Sequence, residues 1–246
     1  MTFRCTGLIG TMALEQLRKR WEAMASPLVM SLGRTNPAFL TWLALPVGIA
    51  ASLLVLFAPK SDTGALMLMG SALLIGFSMI LDGLDGQLAR QTGQVSRWGD
   101  YLDHTLDRLL DAMWVIAIAS SPAWVDDPAI GWAAAWFTIL GSYMGTQAQA
   151  VSGGRNYKGF SRADRTTLLI SALAITGIFW LLDVQDYSAM PGVFDHLELS
   201  PLTVVVFISG LGGLYTFGIR FLQARKEIIE LDKTHPLVQP DSDESE

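Results

Sequence analysis

Apolar residues along this chain run together in blocks rather than alternating with polar ones. Six stretches, 37–59, 64–81, 112–120, 130–151, 166–182 and 202–219, carry few charges or none. A helix crosses a bilayer core with roughly 20 mostly apolar residues, and several of these stretches suffice alone. The stretch 112–120 does not, and it spans only if the acidic residues of 99–111 belong to the same helix. The pattern predicts an all-α polytopic membrane bundle of six transmembrane helices.

An amphipathic interfacial helix is expected ahead of the bundle. Leu14, Leu17, Trp21 and Met24 fall at helical spacing, with Glu15, Arg18, Lys19, Arg20 and Glu22 mostly off that stripe. This suits a helix lying on a membrane surface, and the absence of an unbroken apolar core argues against a signal peptide. Ser26-Pro27 reads as a cap and first-turn proline starting a short helix. Past Thr234, Pro236, Pro240, Asp241, Asp243, Glu244 and Glu246 read as a disordered acidic tail. The expected organisation is therefore a cytoplasmic leader over 1–36, a six-span domain over 37–226 and a tail over 227–246. In the last span, Ser209 and Gly213 form a small-xxx-small pair, expected to mark close helix packing.

Composition sharpens the class. Hydrophobic residues make up 51% of the 246 and charged residues 16%, well below the roughly 25% charged of an average soluble domain. Cys5 is the only cysteine, which excludes a disulfide scaffold, and the net charge of -6 argues against nucleic acid as a partner. A soluble helical protein with a large core is the alternative, and the cations argue against it. With the N-terminus cytoplasmic, every Lys and Arg except Lys60 falls in an inner segment, while Asp126, Asp127, Asp183, Asp186, Asp195 and Glu198 fall outside. That is the positive-inside rule, and it predicts both termini in the cytoplasm.

Candidate chemistry concentrates in one place. Asp82, Asp85, Asp100, Asp103, Asp107 and Asp111 lie where apolar runs end and begin, and carboxylates at a membrane edge are a functional signal by default. At about 100° per residue, Asp82, Asp85, Gly86, Ala89 and Gly93 share one helical face: two carboxylates, then a strip with almost no side chain. Asp103 and Asp107 are one turn apart on the next helix. If the two helices are antiparallel neighbours, four carboxylates converge, and two divalent cations would neutralise them. Oxygen ligands without cysteine favour Mg²⁺ or Mn²⁺ over zinc. A two-metal carboxylate cluster suits phosphoryl or phosphatidyl transfer, and Arg90 is placed to bind a phosphate. The bland alternative is an ion-pair network of Asp82, Asp85, Arg90, Arg97 and Arg108, against which the acids outnumber the arginines. His104, among the carboxylates, reads as a packing or supporting residue.

Asp82-Gly-Leu-Asp85-Gly86-Gln-Leu-Ala89-Arg90, then Gly99, Asp103 and Asp107, spells D-x2-D-G-x2-A-R-x8-G-x3-D-x3-D. This resembles the signature of the CDP-alcohol phosphotransferase family, as do the six spans, the leading helix and the chain length. The resemblance implies that Asp82, Asp85, Asp103 and Asp107 bind two divalent ions, with Asp82 and Asp103 bridging and Asp107 serving also as general base. It implies that Gly86, Arg90 and Ser96 line the CDP-bearing substrate, that Ala89 gives it room, and that the acceptor oxygen attacks the phosphorus bonded to the lipid alcohol while CMP leaves. Members are commonly homodimers, and the expected location is a prokaryotic inner membrane with the site facing the cytoplasm.

Two segments depart from the family pattern. Where many members open the first span with P-N/D-x-x-T, this chain has Pro37-Ala38-Phe39-Leu40-Thr41, so Thr41 alone matches as a CDP-binding position. Members with phosphorylated polyol acceptors often show S-Y-x-K-A-R-A-E, and here Ser142-Tyr143-Met144-Gly145-Thr146-Gln147-Ala148-Gln149 lacks both cations and the acid. Yet Arg162-Ala163-Asp164-Arg165 resembles the R-[AP]-E-R that follows in that branch, and with Arg155 and Lys158 it could hold an anionic acceptor. The expected activity is transfer of a phosphatidyl-type group from a CDP-linked lipid to a hydroxyl acceptor, and the short chain leans towards CDP-diacylglycerol as donor. The alternatives are transfer from a small CDP-alcohol to diacylglycerol, and a divalent-cation carrier. The carrier is disfavoured because its sites usually sit at the bilayer midplane.

Overall fold

The computed structural model describes residues 26–27, 29–33, 35–154 and 158–236. The amphipathic leader stripe, Arg155 and the far acidic tail lie outside the described residues. Ser26 and Pro27 are helical, as are residues 29–31. Six long α-helices follow: α1 (Pro37–Leu56), α2 (Asp62–Thr92), α3 (Arg97–Ala119), α4 (Pro128–Ser152), α5 (Arg162–Leu181) and α6 (Pro201–Thr234). Among the described residues there is no strand, and only an isolated bridge joins Ala189 and Glu198 ahead of α6. Residues 112–119 of the stretch 112–120 form the last part of α3, so the acidic residues before them do share its helix. The last helix runs through 227–234, where a tail was expected. Same-face pairs support it there: Gln223 donates to Glu227 (2.6 Å), and Lys233 lies 3.6 Å from Glu230.

By length and composition, α1, α2, α5 and α6 can each cross a membrane. The other two are more polar: α3 carries Asp100, Asp103, Asp107 and Asp111, while the charge-free α4 is diluted by glycine, serine, threonine and glutamine.

The described residues fall into two compact units. The first takes those up to Gly48 with Gly76–Asp107, and the second takes Ile49–Ile75 with those from Arg108 onward. In the first, Val29, Leu40, Ala44, Leu81, Leu84 and Leu88 form a buried cluster flanked by Leu32 and Val47. Ser78 donates to the Ala44 carbonyl at 3.2 Å, holding α2 to α1 beneath the site. Local chemistry sets the ends of these helices. Asn36 Oδ1 accepts from the Ala38 amide (3.0 Å) and Pro37 takes the first helical position, so α1 has a capped start. Gly93, at φ +69°, ends α2, and the Gln94 amide returns to the Ala89 carbonyl at 2.9 Å. That is the bond of a Schellman close, for which glycine is suited because it carries no Cβ to clash. Ser96 Oγ then accepts from the Gly99 amide at 3.0 Å, capping α3. The face read from sequence therefore stops at Ala89, because Gly93 has already left the helix.

In the second unit, α4 and α6 meet through small residues. A Cβ on Gly213 would lie 2.6 Å from the Phe137 and Thr138 backbones, and one on Gly141 would lie 2.9 Å from the Gly213 carbonyl. Ser209, on the same side of α6, is buried. Helix α5 opens with a reciprocal cap: Ser161 Oγ accepts from the Asp164 amide (3.2 Å), and Asp164 Oδ2 accepts from the Ser161 amide (3.1 Å).

Candidate active site

Helices α2 and α3 bring the carboxylates together in two overlapping groups. One oxygen each of Asp82, Asp85 and Asp103 lie within 4.8 Å of one another. Asp103, His104 and Asp107 form a second group within the same limit. Asp103 belongs to both, the arrangement a bridging ligand requires. Asp85 is 5% exposed and Asp107 8%, so these charges are substantially removed from water, where uncompensated carboxylates are costly. The four aspartates supply oxygen donors alone, which fits Mg²⁺ or Mn²⁺; His104, read from sequence as a supporting residue, stands within ligand reach of the second group. Its ring also lies 3.7 Å from Asp100 and 3.9 Å from Asp103.

Thr41 approaches this centre from α1. Its hydroxyl donates to Asp85 Oδ2 at 2.5 Å, with both side chains buried, and lies 3.4 Å from the Pro37 carbonyl. The position matched to a CDP-binding threonine thus also orients a carboxylate.

A cavity of about 280 Å³ opens beside the carboxylates, and Thr41, Asp85, Gly86, Ala89, Arg90, Ser96 and Asp103 all line it. All five positions expected to meet the CDP-bearing substrate are therefore gathered in one place. Asn36, Pro37, Ala38, Gly99 and Asp100 line it too, as do Gln94 and Val95, which sequence reasoning did not name. The absence of a side chain at Gly86 has a visible use, since a Cβ there would lie 3.3 Å from the Arg90 guanidinium. Ser96 is shared between the cavity and the α3 cap, so the turn that reverses the chain also shapes the wall.

The second unit holds a cationic cavity lined by Arg108, Arg162, Arg165 and Arg220 together with Thr138, Ser142, Phe160, Gly213 and Thr216. Of the four expected acceptor residues, Arg162 and Arg165 are here. Lys158 contributes its carbonyl, which accepts from Arg220 Nε at 2.9 Å, and Arg155 lies outside the described residues. Arg108 donates to Ser142 Oγ at 3.0 Å, and Arg220 also donates to the Gly141 carbonyl at 3.0 Å. The buried carboxylate of Asp111 pairs with Arg162 (3.2 Å) and with Arg165, and lies 3.9 Å from Arg108. Among the described residues, four guanidiniums and no carboxylate line this cavity, so its wall is cationic. Arg108 and Arg220 were the residues missed. Arg108 carried a signal, its place directly after Asp107, whereas Arg220 sits at the end of an apolar run like any snorkelling cation.

Residues 34–194 match the CDP-alcohol phosphatidyltransferase family. The phosphatidylinositol phosphate synthase of Cutibacterium acnes is 28% identical over 222 residues, covering 87% of this chain and 98% of that protein. The archaetidylinositol phosphate synthase of Pyrococcus horikoshii is 42% identical over 74 residues, 30% of this chain and 36% of that one. Among solved structures, the Mycobacterium tuberculosis phosphatidylinositol phosphate synthase with CDP-DAG bound superposes with a TM-score of 0.60 at 21% identity. That match covers 82% of this chain and 94% of the other. The same enzyme in complex with manganese and citrate gives 0.58 at 21% identity, covering 81% and 88%. These superpositions show a shared fold.

Proposed function

The chain belongs to the CDP-alcohol phosphatidyltransferase family, and we propose that it moves the phosphatidyl group of CDP-diacylglycerol to a phosphorylated polyol, inositol phosphate, releasing CMP. It is an integral membrane protein and a transferase. The observation that carries the choice of acceptor is the cavity lined by four arginines, two of which, Arg162 and Arg165, pair with the buried Asp111. A neutral polyol brings no charge to offset the guanidiniums of this wall, whereas a phosphate monoester accepts their hydrogen bonds bidentately and balances them. The names of the relatives, phosphatidylinositol phosphate synthase and archaetidylinositol phosphate synthase, point the same way. The missing cations at Gly145 and Gln147 weigh less in this light, because Arg108 and Arg220 come from other helices.

In this reading Arg90 binds the donor's diphosphate in the cavity next to Asp85, with Gly86 and Ala89 leaving room for it. Asp82, Asp85, Asp103 and Asp107 hold two divalent cations, which when bound neutralise phosphate charge and make the acceptor hydroxyl more acidic. Asp107 takes the proton of that hydroxyl. The acceptor oxygen then forms a bond to the phosphorus carrying the diacylglycerol, and the bond from that phosphorus to the bridging oxygen breaks, so that CMP departs with the electron pair. Asp107 and Arg108 are consecutive on α3, so a single helical turn carries both the base and a cation for the acceptor's phosphate.

In this reading α3 and α4 join the four candidate spans to make six, and both termini and the carboxylates face the cytoplasm at a prokaryotic inner membrane. At about 1.5 Å per residue α3 and α4 are roughly 34 and 37 Å long, sufficient for a hydrocarbon core of about 30 Å. A homodimer is the expected assembly.

The test is CMP release by the purified protein with CDP-diacylglycerol, Mg²⁺ or Mn²⁺, and a panel of acceptors: inositol phosphate, inositol, glycerol 3-phosphate and serine. Diacylglycerol with CDP-choline serves as the opposite arrangement. Inositol phosphate is expected to support turnover and inositol is not. Equal use of the two would refute the anionic acceptor. Asp107→Asn is expected to reduce release to background while the protein still inserts, and wild-type turnover in that variant would remove Asp107 from the chemistry.

A further inference from the structure

We infer that Asp111 is a positioning residue for the acceptor's phosphate, acting through Arg162 and Arg165 rather than touching the acceptor itself. The inference rests on the anionic-acceptor reading above. Asp111 lies one turn beyond Asp107 on α3 and is 1% exposed. Its Oδ1 accepts from Arg162 Nε at 3.2 Å and its Oδ2 accepts from the Arg165 guanidinium, while Arg108 Nη1 lies 3.9 Å away.

A simple buried ion pair needs one cation for one carboxylate. Here three guanidiniums crowd one carboxylate and Arg220 lines the same cavity, so neutralisation does not explain the arrangement. The place of the two arginines also needs explaining. Arg162 and Arg165 occupy the first turn of α5, the end of a helix where its dipole repels cations and attracts anions. The helix does not favour them there; Asp111 takes one donor from each and fixes both planes, and a guanidinium with five N–H groups has donors to spare. Arg165 adds an independent sign of a ligand. It lines the cavity, is 4% exposed, and its Nε is buried with no hydrogen-bond partner among the described residues. An anion in the cavity would satisfy that donor. Arg220 donates to the carbonyls of Lys158 and Gly141, and Arg108 donates to the Ser142 hydroxyl. Asp111 is the carboxylate on which the α5 pair depends.

The two roles open to Asp111 predict opposite signs. If it were only a counter-charge, removing its charge would strengthen anion binding. If it positions the arginines, removing it weakens binding. The assay is CMP release by the full-length protein in detergent, with inositol phosphate varied at saturating CDP-diacylglycerol and Mn²⁺. Asp111→Asn is expected to raise the KM for inositol phosphate by about tenfold or more, the scale of one charge-assisted hydrogen bond. Its kcat and donor KM are expected to stay within about threefold, since the lost interaction is not specific to the transition state. Asp111→Glu keeps the charge and displaces the carboxylate by one methylene, so it too is expected to raise KM, and it decides the matter if the Asn variant does not fold. Inorganic phosphate is expected to raise the melting midpoint of the wild type and to do so less in both variants. An unchanged or lowered KM in Asp111→Asn, or a wild-type KM in Asp111→Glu, overturns the inference. Failure of the parent reading looks different: the wild type itself would use inositol as well as inositol phosphate and gain no stability from phosphate.

Discussion

Replacing Thr41 with valine separates two roles that one hydroxyl could serve. Valine keeps the branched shape and nearly the volume of threonine, so the packing of α1 against the buried cluster of Leu40, Ala44 and Leu84 is retained. What disappears is the hydrogen bond to Asp85 Oδ2, 2.5 Å long and buried at both ends. A hydrogen bond to a charged group contributes about 1.5–3 kcal/mol, which corresponds to a factor of roughly 10 to 150 in an equilibrium constant. Loss of a partner that orients a metal ligand costs about 10–100-fold in affinity or activity by comparison with other metal sites, so the two scales agree. Thr41→Val is therefore expected to raise the Mn²⁺ concentration for half-maximal CMP release by about 10–100-fold. Direct Mn²⁺ binding, followed by the loss of the free-ion electron paramagnetic resonance signal, should weaken in step. If Thr41 serves the nucleotide instead, Mn²⁺ affinity stays at the wild-type value and only the KM for CDP-diacylglycerol rises. Unchanged Mn²⁺ binding in a folded variant would refute the argument from the Thr41–Asp85 bond.

Two further predictions concern the scaffold. Gly213→Leu places a side chain where even a Cβ would meet the Phe137 and Thr138 backbones at 2.6 Å; the expected overpacking cost is about 1–3 kcal/mol or more, read as a lower melting midpoint in detergent. Ser161→Ala removes half of the reciprocal cap of α5, with an expected loss of about 0.5–2 kcal/mol. Because that cap sets the turn carrying Arg162 and Arg165, the KM for inositol phosphate should rise while Mn²⁺ affinity does not change. A matching loss of Mn²⁺ affinity would show that the damage is general.

The helices and the metal-type chemistry were legible in the linear chain because both depend on local rules. A run of apolar residues long enough for a bilayer has few alternatives to helix, so α1, α2, α4, α5 and α6 fall close to their expected places, and the acidic first half of α3 could be joined to 112–120 by its spacing. Asp82 with Asp85, and Asp103 with Asp107, share faces because helical periodicity puts residues three and four apart side by side. That part of the site was decided by sequence. The bounds that failed were also local: α2 ends at Thr92, one residue short of the Gly93 assigned to its face, and the pairing of Gln223 with Glu227 carries α6 past 226.

Tertiary structure decided what no periodicity encodes, namely which side chains from different helices meet. Thr41 lies 44 residues from the carboxylate it orients, and Asp111 lies 51 and 54 residues from its arginines. Arg220 reaches back to carbonyls 62 and 79 residues away. A linear reading sees Arg108 and Arg220 as charges flanking apolar runs, since the positive-inside rule explains every such cation equally well. Only the fold distinguishes a cation that marks the membrane face from one that lines a cavity, because a buried guanidinium exchanges water for specific partners and the position of those partners is a property of the packed chain.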